Sequence, residues 1–222
     1  FLRQAVLSNG ADLGIALDGD GDRLIMVDRY GEVYDGDKLI YVIAAARKRE
    51  GRLDGVIGTL MSNLGFEHAV GRLGVPFARA KVGDRYVLEM LHERGWKLGG
   101  ENSGHIICLD RHSTGDAIVS ALQVLAVMVE REKRASELAG DLVAYPQMLL
   151  NVRMKQRIPL ESMKGFQKAK GEFERMLRGR GRIVVRYSGT EPLLRVMAEG
   201  ENRQEVESIV RVLADKAKEG GR

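Results

Sequence analysis

Short apolar segments alternate with helical patterns through the middle of the chain. Strand-like runs occur at 56–58, 76–78, 96–98 and 106–109, and helical patterns cover 36–49, 64–73, 84–92 and 116–131. Parallel strands need long crossover connections, which helices usually supply. The alternation therefore predicts a three-layer β/α domain with a mixed, mainly parallel sheet, which we place at residues 36–143.

A different order of elements follows residues 140–146. Strand patterns at 148–154, 182–187 and 193–198 surround one helical pattern at 160–177, and a last helix carries its apolar residues on one face. This order predicts a small α+β domain at residues 144–222. Before the central domain, a strand at 12–17 is followed by a hairpin that joins 24–27 to 32–34.

Composition excludes several classes of protein. The chain has 222 residues, and none of its apolar runs reaches the ~18 residues needed to cross a membrane. A net charge of +4 with 5% aromatic residues argues against nucleic-acid binding, while small anionic substrates stay open. The single cysteine, Cys108, excludes an internal disulfide and fits a reducing compartment. We expect a cytoplasmic protein without a membrane or nucleic-acid partner.

An acidic loop with the sequence DGDGDR occupies residues 18–23. Like charges so close repel, and a hard divalent cation such as Mg²⁺ removes the repulsion by taking oxygen ligands. Asp18, Asp20 and Asp22 are therefore the predicted metal ligands, and Arg23 could pair with a phosphate beside them. A solvated acidic turn is the weaker alternative, and an EF-hand fails because its glycine and glutamate positions do not match.

The sequence GGENSGH at residues 99–105 lies between two predicted strands. Glu101, Asn102, Ser103 and His105 offer a carboxylate, an amide, a hydroxyl and an imidazole, a set that suits the hydroxyls of a sugar. An ordinary polar loop explains the same residues equally well, so both interpretations stay open at this point.

The sequence RYSGTEP at residues 186–192 also joins two predicted strands, and Arg195 follows it. Guanidinium groups, hydroxyls and the N–H groups of a glycine turn form a phosphate cradle. The predicted phosphate-binding residues are Arg186, Ser188, Gly189, Thr190 and Arg195. A capped hairpin with solvated arginines is the less favoured alternative.

Taken in this order, the three loops resemble the motifs of the α-D-phosphohexomutase family over essentially the whole chain. Within that family, TLMSNLG at 59–65 and RAKVGDRYV at 79–87 are most similar to the enzymes that act on glucosamine phosphates. The family has four domains. The resemblance implies that residues 1–35 end a metal-binding domain similar in architecture to the next one, that 36–143 bind the sugar, and that 144–222 bind phosphate.

The resemblance also implies a mechanism. The enzymes of this family that act on glucosamine phosphates interconvert glucosamine 6-phosphate and glucosamine 1-phosphate through a phosphoserine and a bisphosphate, and glucosamine 1,6-bisphosphate is both intermediate and activator. The resemblance assigns Mg²⁺ to the three aspartates, with Arg23 assisting, and sugar hydroxyls to Glu101 and Ser103. His105 and Lys81 are candidates for proton transfer or positioning, although a solvated helix start explains Lys81 as well. A homodimer is left open.

The family's phosphoserine lies in the first domain, and the residue that matches it is missing from this chain. We therefore expect a truncated enzyme that is inactive alone, because the chain begins at the threshold of an apolar strand. A phosphomannomutase or phosphoglucomutase of the same family is the nearest alternative. A non-catalytic phosphosugar-binding module is the alternative from another class.

Overall fold

The computed structural model describes residues 1–188 and 191–220. The chain divides into two compact units, Phe1–Val143 and Ala144–Arg222. None of the helices within the described residues combines the length and the apolar character that crossing a lipid bilayer requires.

The first unit opens with a helix, α1 (Leu2–Asn9), and a three-stranded antiparallel sheet, β1 (Leu13–Leu17), β2 (Leu24–Asp28) and β3 (Val33–Tyr34). The predicted hairpin is confirmed, with Met26 opposite Tyr34. The expectation that the chain begins directly before a strand was wrong, because α1 precedes it. Only Val6 of α1 is buried, so the helix has little of the apolar periodicity from which a sequence predicts one.

A four-stranded sheet forms the centre of this unit. Its strands are β4 (Val56–Thr59), β5 (Phe77–Ala80), β6 (Leu98–Gly100) and β7 (Ile106–Cys108), and their order in the sheet is β5-β4-β6-β7. β5 and β6 run parallel to β4, and β7 is antiparallel to β6. The sheet is therefore mixed and mainly parallel, as predicted. The helices of this unit that follow α1 are α2 (Gly36–Arg49), α3 (Leu64–Arg72), α4 (Asp84–Arg94), α5 (Ala117–Arg131) and α6 (Ala135–Leu138).

Helix α2 connects the two sheets of the first unit through one hydrophobic core. Its side chains, including the fully buried Leu39 and Ile43, belong to the same cluster as Leu24 of β2 and Leu98 of β6. Burial of apolar surface contributes roughly 25 cal/mol per Å². A core shared by both sheets holds the loops that follow β1 and β6 in one body.

The second unit is a small α+β fold, as predicted. β8 (Gln147–Arg153), β9 (Gly181–Tyr187) and β10 (Leu193–Gly200) form an antiparallel sheet with β10 in the middle. α7 (Lys164–Met176), preceded by a 3₁₀ turn at Leu160–Ser162, and α8 (Arg203–Gly220) share one core with the sheet. The apolar stripe of α8, from Val206 to Ala217, is buried as its periodicity indicated.

Candidate functional site

One edge of the four-stranded sheet collects polar residues from several loops. β4, β5 and β6 are parallel, so their carboxyl ends share this edge, and Lys81 and Glu101 directly follow β5 and β6. β7 runs the opposite way and begins at the same edge, directly after His105. Ligands of open α/β sheets bind outside the carboxyl ends of strands, so this edge is the candidate site of the first unit.

The acidic loop follows β1 and brings its carboxylates together. Oxygen atoms of Asp18, Asp20 and Asp22 lie within 4.8 Å of one another. Oδ1 of Asp18 accepts hydrogen bonds from the backbone N–H groups of Asp22, at 3.2 Å, and Arg23, at 3.1 Å. These bonds close the loop and leave the carboxylates on one side, an arrangement that oxygen-loving divalent cations require.

Arg23 is the cation nearest to these carboxylates among the described residues. Its Nε lies 3.5 Å from Oδ2 of Asp18 and 3.8 Å from Oδ1 of Asp22. Desolvation raises the pKa of the Asp18 carboxyl, but hydrogen bonds from the Arg23 and Asp22 backbone and the Arg23 charge outweigh it, so that pKa is lowered. Asp18 is thus held in its ionised form, the form that coordinates a cation.

The loop that carries Glu101 is anchored by its backbone. The Glu101 N–H donates to the His105 carbonyl at 2.9 Å, and the Gly36 N–H, at the start of α2, donates to the Asn102 carbonyl at 3.1 Å. Glu101 and Asn102 are half-buried and Ser103 is exposed. The backbone is fixed while polar side chains stay accessible, which suits recognition of sugar hydroxyls.

The acidic loop and the Glu101 loop are joined directly. The Leu24 N–H donates to the Gly104 carbonyl at 3.0 Å, and Arg23 and His105 form an isolated antiparallel bridge. Gly104 has φ +101°, and a Cβ there would lie 2.2 Å from the Leu24 carbonyl oxygen, so only glycine fits. The fold therefore brings together two motifs that the sequence keeps about 80 residues apart.

Lys81 lies at the same edge of the sheet but apart from these contacts. Its side chain is exposed, and its Nζ sits 5.6 Å from the ring centroid of Tyr86. The structure thus places Lys81 beside the site without showing it in contact with the acidic loop or with Glu101.

A buried carboxylate, which no sequence motif indicated, lies under this edge. Asp37 lies in the first turn of α2 and is 2% exposed, and it accepts a hydrogen bond from the Asn63 N–H at 2.7 Å. Burial, with the nearby Asp35 charge, raises the pKa of Asp37 to about 7. Arg79 donates to the carbonyls of Thr59 and Ser62 in the same loop. In the sequence, Asp35 and Asp37 flank Gly36 at the start of the helical pattern 36–49, and nothing local distinguishes Asp37 from a solvated residue of a first helical turn.

In the second unit, two of the predicted phosphate-binding arginines lie side by side on adjacent strands. Arg186 of β9 is the direct cross-strand partner of Arg195 of β10. Desolvation, with the adjacent Arg195 charge, lowers the pKa of Arg186, and Nε of Arg195 is buried without a hydrogen-bond partner. Like charges directly opposite destabilise a sheet, so an anion is the natural complement of this pair.

Ser188 directly follows β9 and is buried, and its Oγ accepts a hydrogen bond from the Glu191 N–H at 3.4 Å. Arg157, which the sequence analysis did not single out, donates to the Ser188 carbonyl. It lies in the segment after β8, where nothing local distinguishes it from a solvated arginine. The predicted residues Gly189 and Thr190 lie outside the described residues.

Two family models match the chain. The model for the phosphoglucomutase/phosphomannomutase alpha/beta/alpha domain III covers residues 35–145, and the model for the C-terminal domain of the same family covers residues 149–216. Together they span most of both units.

Curated relatives match almost the whole chain. A phosphoglucosamine mutase from Azoarcus sp. is 68% identical over 213 residues, which are 96% of this chain and 47% of the relative. A phosphoglucosamine mutase from Methylococcus capsulatus is 60% identical, over 97% of this chain and 47% of the relative. The chain therefore spans about half the length of the curated relatives it matches.

Solved structures share the fold. N-acetylphosphoglucosamine mutase of Aspergillus fumigatus, in complex with GlcNAc-6P and magnesium, superposes with a TM-score of 0.75 at 21% identity, covering 94% of this chain and 49% of that one. A phosphoglucomutase/phosphomannomutase family protein of Burkholderia thailandensis superposes with a TM-score of 0.78 at 20% identity, covering 99% and 50%.

Proposed function

The chain belongs to the phosphoglucomutase/phosphomannomutase family, as the predicted resemblance indicated, and from that premise we propose that it is the carboxyl-terminal half of a phosphoglucosamine mutase. The observation that carries the proposal is the 68% identity to the Azoarcus enzyme across 96% of this chain. The complete protein would interconvert glucosamine 6-phosphate and glucosamine 1-phosphate. The phosphorylated serine would come from the half of the relatives that this chain does not span, and the cytoplasm is the compartment we propose.

The acidic loop suits a magnesium ion. Its three carboxylates have oxygen atoms within 4.8 Å of one another, and Oδ1 of Asp22 is buried without a hydrogen-bond partner. Mg²⁺ takes hard oxygen ligands, and Asp18, Asp20 and Asp22 would hold it. When bound, the ion supplies charge neutralisation for the phosphoryl group that is transferred.

The remaining residues would bind and orient the substrate. Arg23, half exposed beside the acidic loop, would turn its guanidinium toward the phosphoryl oxygens. Glu101 and Ser103, with Asn102 beside them, would take hydrogen bonds from sugar hydroxyls. Lys81 would position the substrate or move a proton at the rim of the sheet.

In the second unit, the facing pair Arg186 and Arg195 would anchor the phosphate that is not reacting. The charge repulsion between them and the unpartnered Nε of Arg195 support this role. Ser188, directly after β9, would contribute its hydroxyl to the same phosphate cradle, and Gly189 and Thr190 stay predicted members of it. Glucosamine 1,6-bisphosphate, which carries a phosphate at each end, would present one phosphate to this cradle in either orientation.

Calorimetric titration of the chain with glucosamine 6-phosphate, glucose 6-phosphate and mannose 6-phosphate, at fixed Mg²⁺, tests the proposal. We expect the amino sugar to bind at least tenfold more tightly than the other two. Glu101→Gln should remove most of that preference, and Glu93→Gln, an exposed change on α4, should not. Equal binding of all three sugars would instead favour a phosphomannomutase or phosphoglucomutase.

A fusion tests activity. The amino-terminal half of the Azoarcus enzyme, joined to residue 1 of this chain, should convert glucosamine 6-phosphate to the 1-phosphate. Arg195→Gln should raise the KM of the fusion at least tenfold, because it removes half of the phosphate anchor. A well-folded fusion without mutase activity would contradict the proposed function.

A further inference from the structure

We propose that His105 acts as a positioning residue, whose Nδ1–H holds the Asp22 carboxylate in place and thereby fixes the acidic loop against the Glu101 loop. The proposal rests on the proposed cation site at Asp18, Asp20 and Asp22. It assigns His105 one of the two roles that the sequence left open, positioning rather than proton transfer to the sugar.

A hydrogen bond joins the His105 ring to the Asp22 carboxylate. Nδ1 of His105 lies 2.9 Å from Oδ2 of Asp22, a residue 83 positions earlier in the chain. The other oxygen of the same carboxylate, Oδ1, is buried without a hydrogen-bond partner. With one oxygen held by the imidazole, the carboxylate cannot rotate freely. The second oxygen lies 3.8 Å from Nε of the half-exposed Arg23 and would be the one that coordinates a cation. Partners of this kind orient metal-ligating side chains.

The imidazole ring of His105 is buried. The His105 side chain is only 6% exposed, and its Nε2 is buried with no hydrogen-bond partner among the described residues. A Cβ on Gly115 would lie 2.2 Å from Nε2, so the backbone just before α5 closes that side of the ring. One nitrogen is occupied and the other is enclosed. Neither is placed to exchange a proton with a sugar hydroxyl.

Backbone hydrogen bonds surround the contact between His105 and Asp22. The Leu24 N–H donates to the Gly104 carbonyl at 3.0 Å, and the Ala117 N–H, at the start of α5, donates to the Gly21 carbonyl at 3.0 Å. These bonds bracket the His105–Asp22 contact on both sides. The two loops and the start of α5 therefore form one connected body, in which a change at His105 reaches the cation ligands.

Binding of Mn²⁺, a paramagnetic stand-in for Mg²⁺, to the whole chain tests the proposal by electron paramagnetic resonance. We expect His105→Ala to weaken Mn²⁺ binding about 10–100-fold, the range found when a partner of a metal ligand is removed. His105→Asn should stay within about threefold of wild type, since its side-chain amide can donate from the place of Nδ1. His92→Ala, an exposed change on α4, is the matched control and should change nothing.

Gly115→Ala adds a second perturbation that keeps the imidazole. The new methyl group must displace the ring, so Mn²⁺ binding should weaken even though His105 is present. Circular dichroism of each variant checks that it is folded. If the alanine variant unfolds, the question is decided by Gly115→Ala, which should bind Mn²⁺ more weakly than wild type, and His105→Asn, which should bind it nearly as well.

The outcomes separate this proposal from the proposed function. If wild type binds Mn²⁺ and His105→Ala binds it equally well, the positioning role is wrong while the cation site stands. If the asparagine variant weakens binding as much as alanine, the hydrogen bond is not the cause and the proposal also fails. If wild type binds no Mn²⁺ and still prefers glucosamine 6-phosphate, the cation site and this proposal fail while the sugar assignment stands.

Discussion

Asp37 offers a sharp test of how burial controls a charge in this fold. Its carboxyl lies under the Thr59–Asn63 segment, 2% exposed, with its Oδ1 buried and unpaired. Burial, the largest cause, and the Asp35 charge raise the pKa from 3.8 to about 7. Between these values the folded chain binds a proton that the unfolded chain has released, so stability falls as pH rises from about 4 to about 7 and then levels off.

Asp37→Asn removes this pH dependence. The amide keeps an oxygen that can accept from the Asn63 N–H, and it never ionises. About two pKa units separate pH 5 from the folded pKa, at 1.36 kcal/mol per unit. We therefore expect the stability of the variant relative to wild type to increase by about 3 kcal/mol between pH 5 and pH 8.

Urea unfolding followed by fluorescence measures this change. Trp96 is the only tryptophan of the chain and lies in the first unit with Asp37, so its emission reports the relevant transition. Asp54→Asn, an exposed change in the same unit, controls for a general loss of negative charge. An Asp37→Asn variant whose relative stability is equal at both pH values would refute the reasoning, because it would mean that Arg79 keeps the buried carboxylate ionised.

Three further changes have expected outcomes. Gly36→Ala would put a Cβ 1.9 Å from the Glu101 carbonyl oxygen, so it should displace that loop and weaken glucosamine 6-phosphate binding at least tenfold in calorimetry. Arg182→Ala would remove the ion pair that Arg182 makes with the fully buried Glu199, and chemical unfolding of the second unit should show a loss of about 3–5 kcal/mol. Asp116→Ala removes the side chain that accepts from the Val119 N–H at the start of α5, and Trp96 fluorescence should report a loss of about 1 kcal/mol.

Local patterns predicted the elements well. The helical patterns at 36–49 and 116–131 and the hairpin before α2 depend on residues within a few positions of each other. Periodicity and capping act over that range, so the sequence carries the information directly. Helix α1 was not predicted, because it buries only one residue and no capping side chain marks its start.

The candidate site residues show the same difference between short-range and long-range information. The acidic loop, the Glu101 loop and the arginines of the second unit could be selected as candidates because each motif is short and chemically unusual. The burial of His105 and the raised pKa of Asp37 were not recognisable, since neither residue differs locally from a solvated one. His105 is enclosed by Asp22 and Gly115, and Asp37 accepts a hydrogen bond from Asn63. Each of these partners lies at least ten positions away in the chain.

The sequence by itself determined most of the elements, the change of pattern between the two units, and which residue types could meet a cation, a sugar and a phosphate. Only the tertiary structure decided which of these groups touch and which lie in water. The physical reason is that burial and pairing depend on contacts between distant segments. The core shared by α2, β2 and β6 sets those contacts, and no short stretch of residues encodes them.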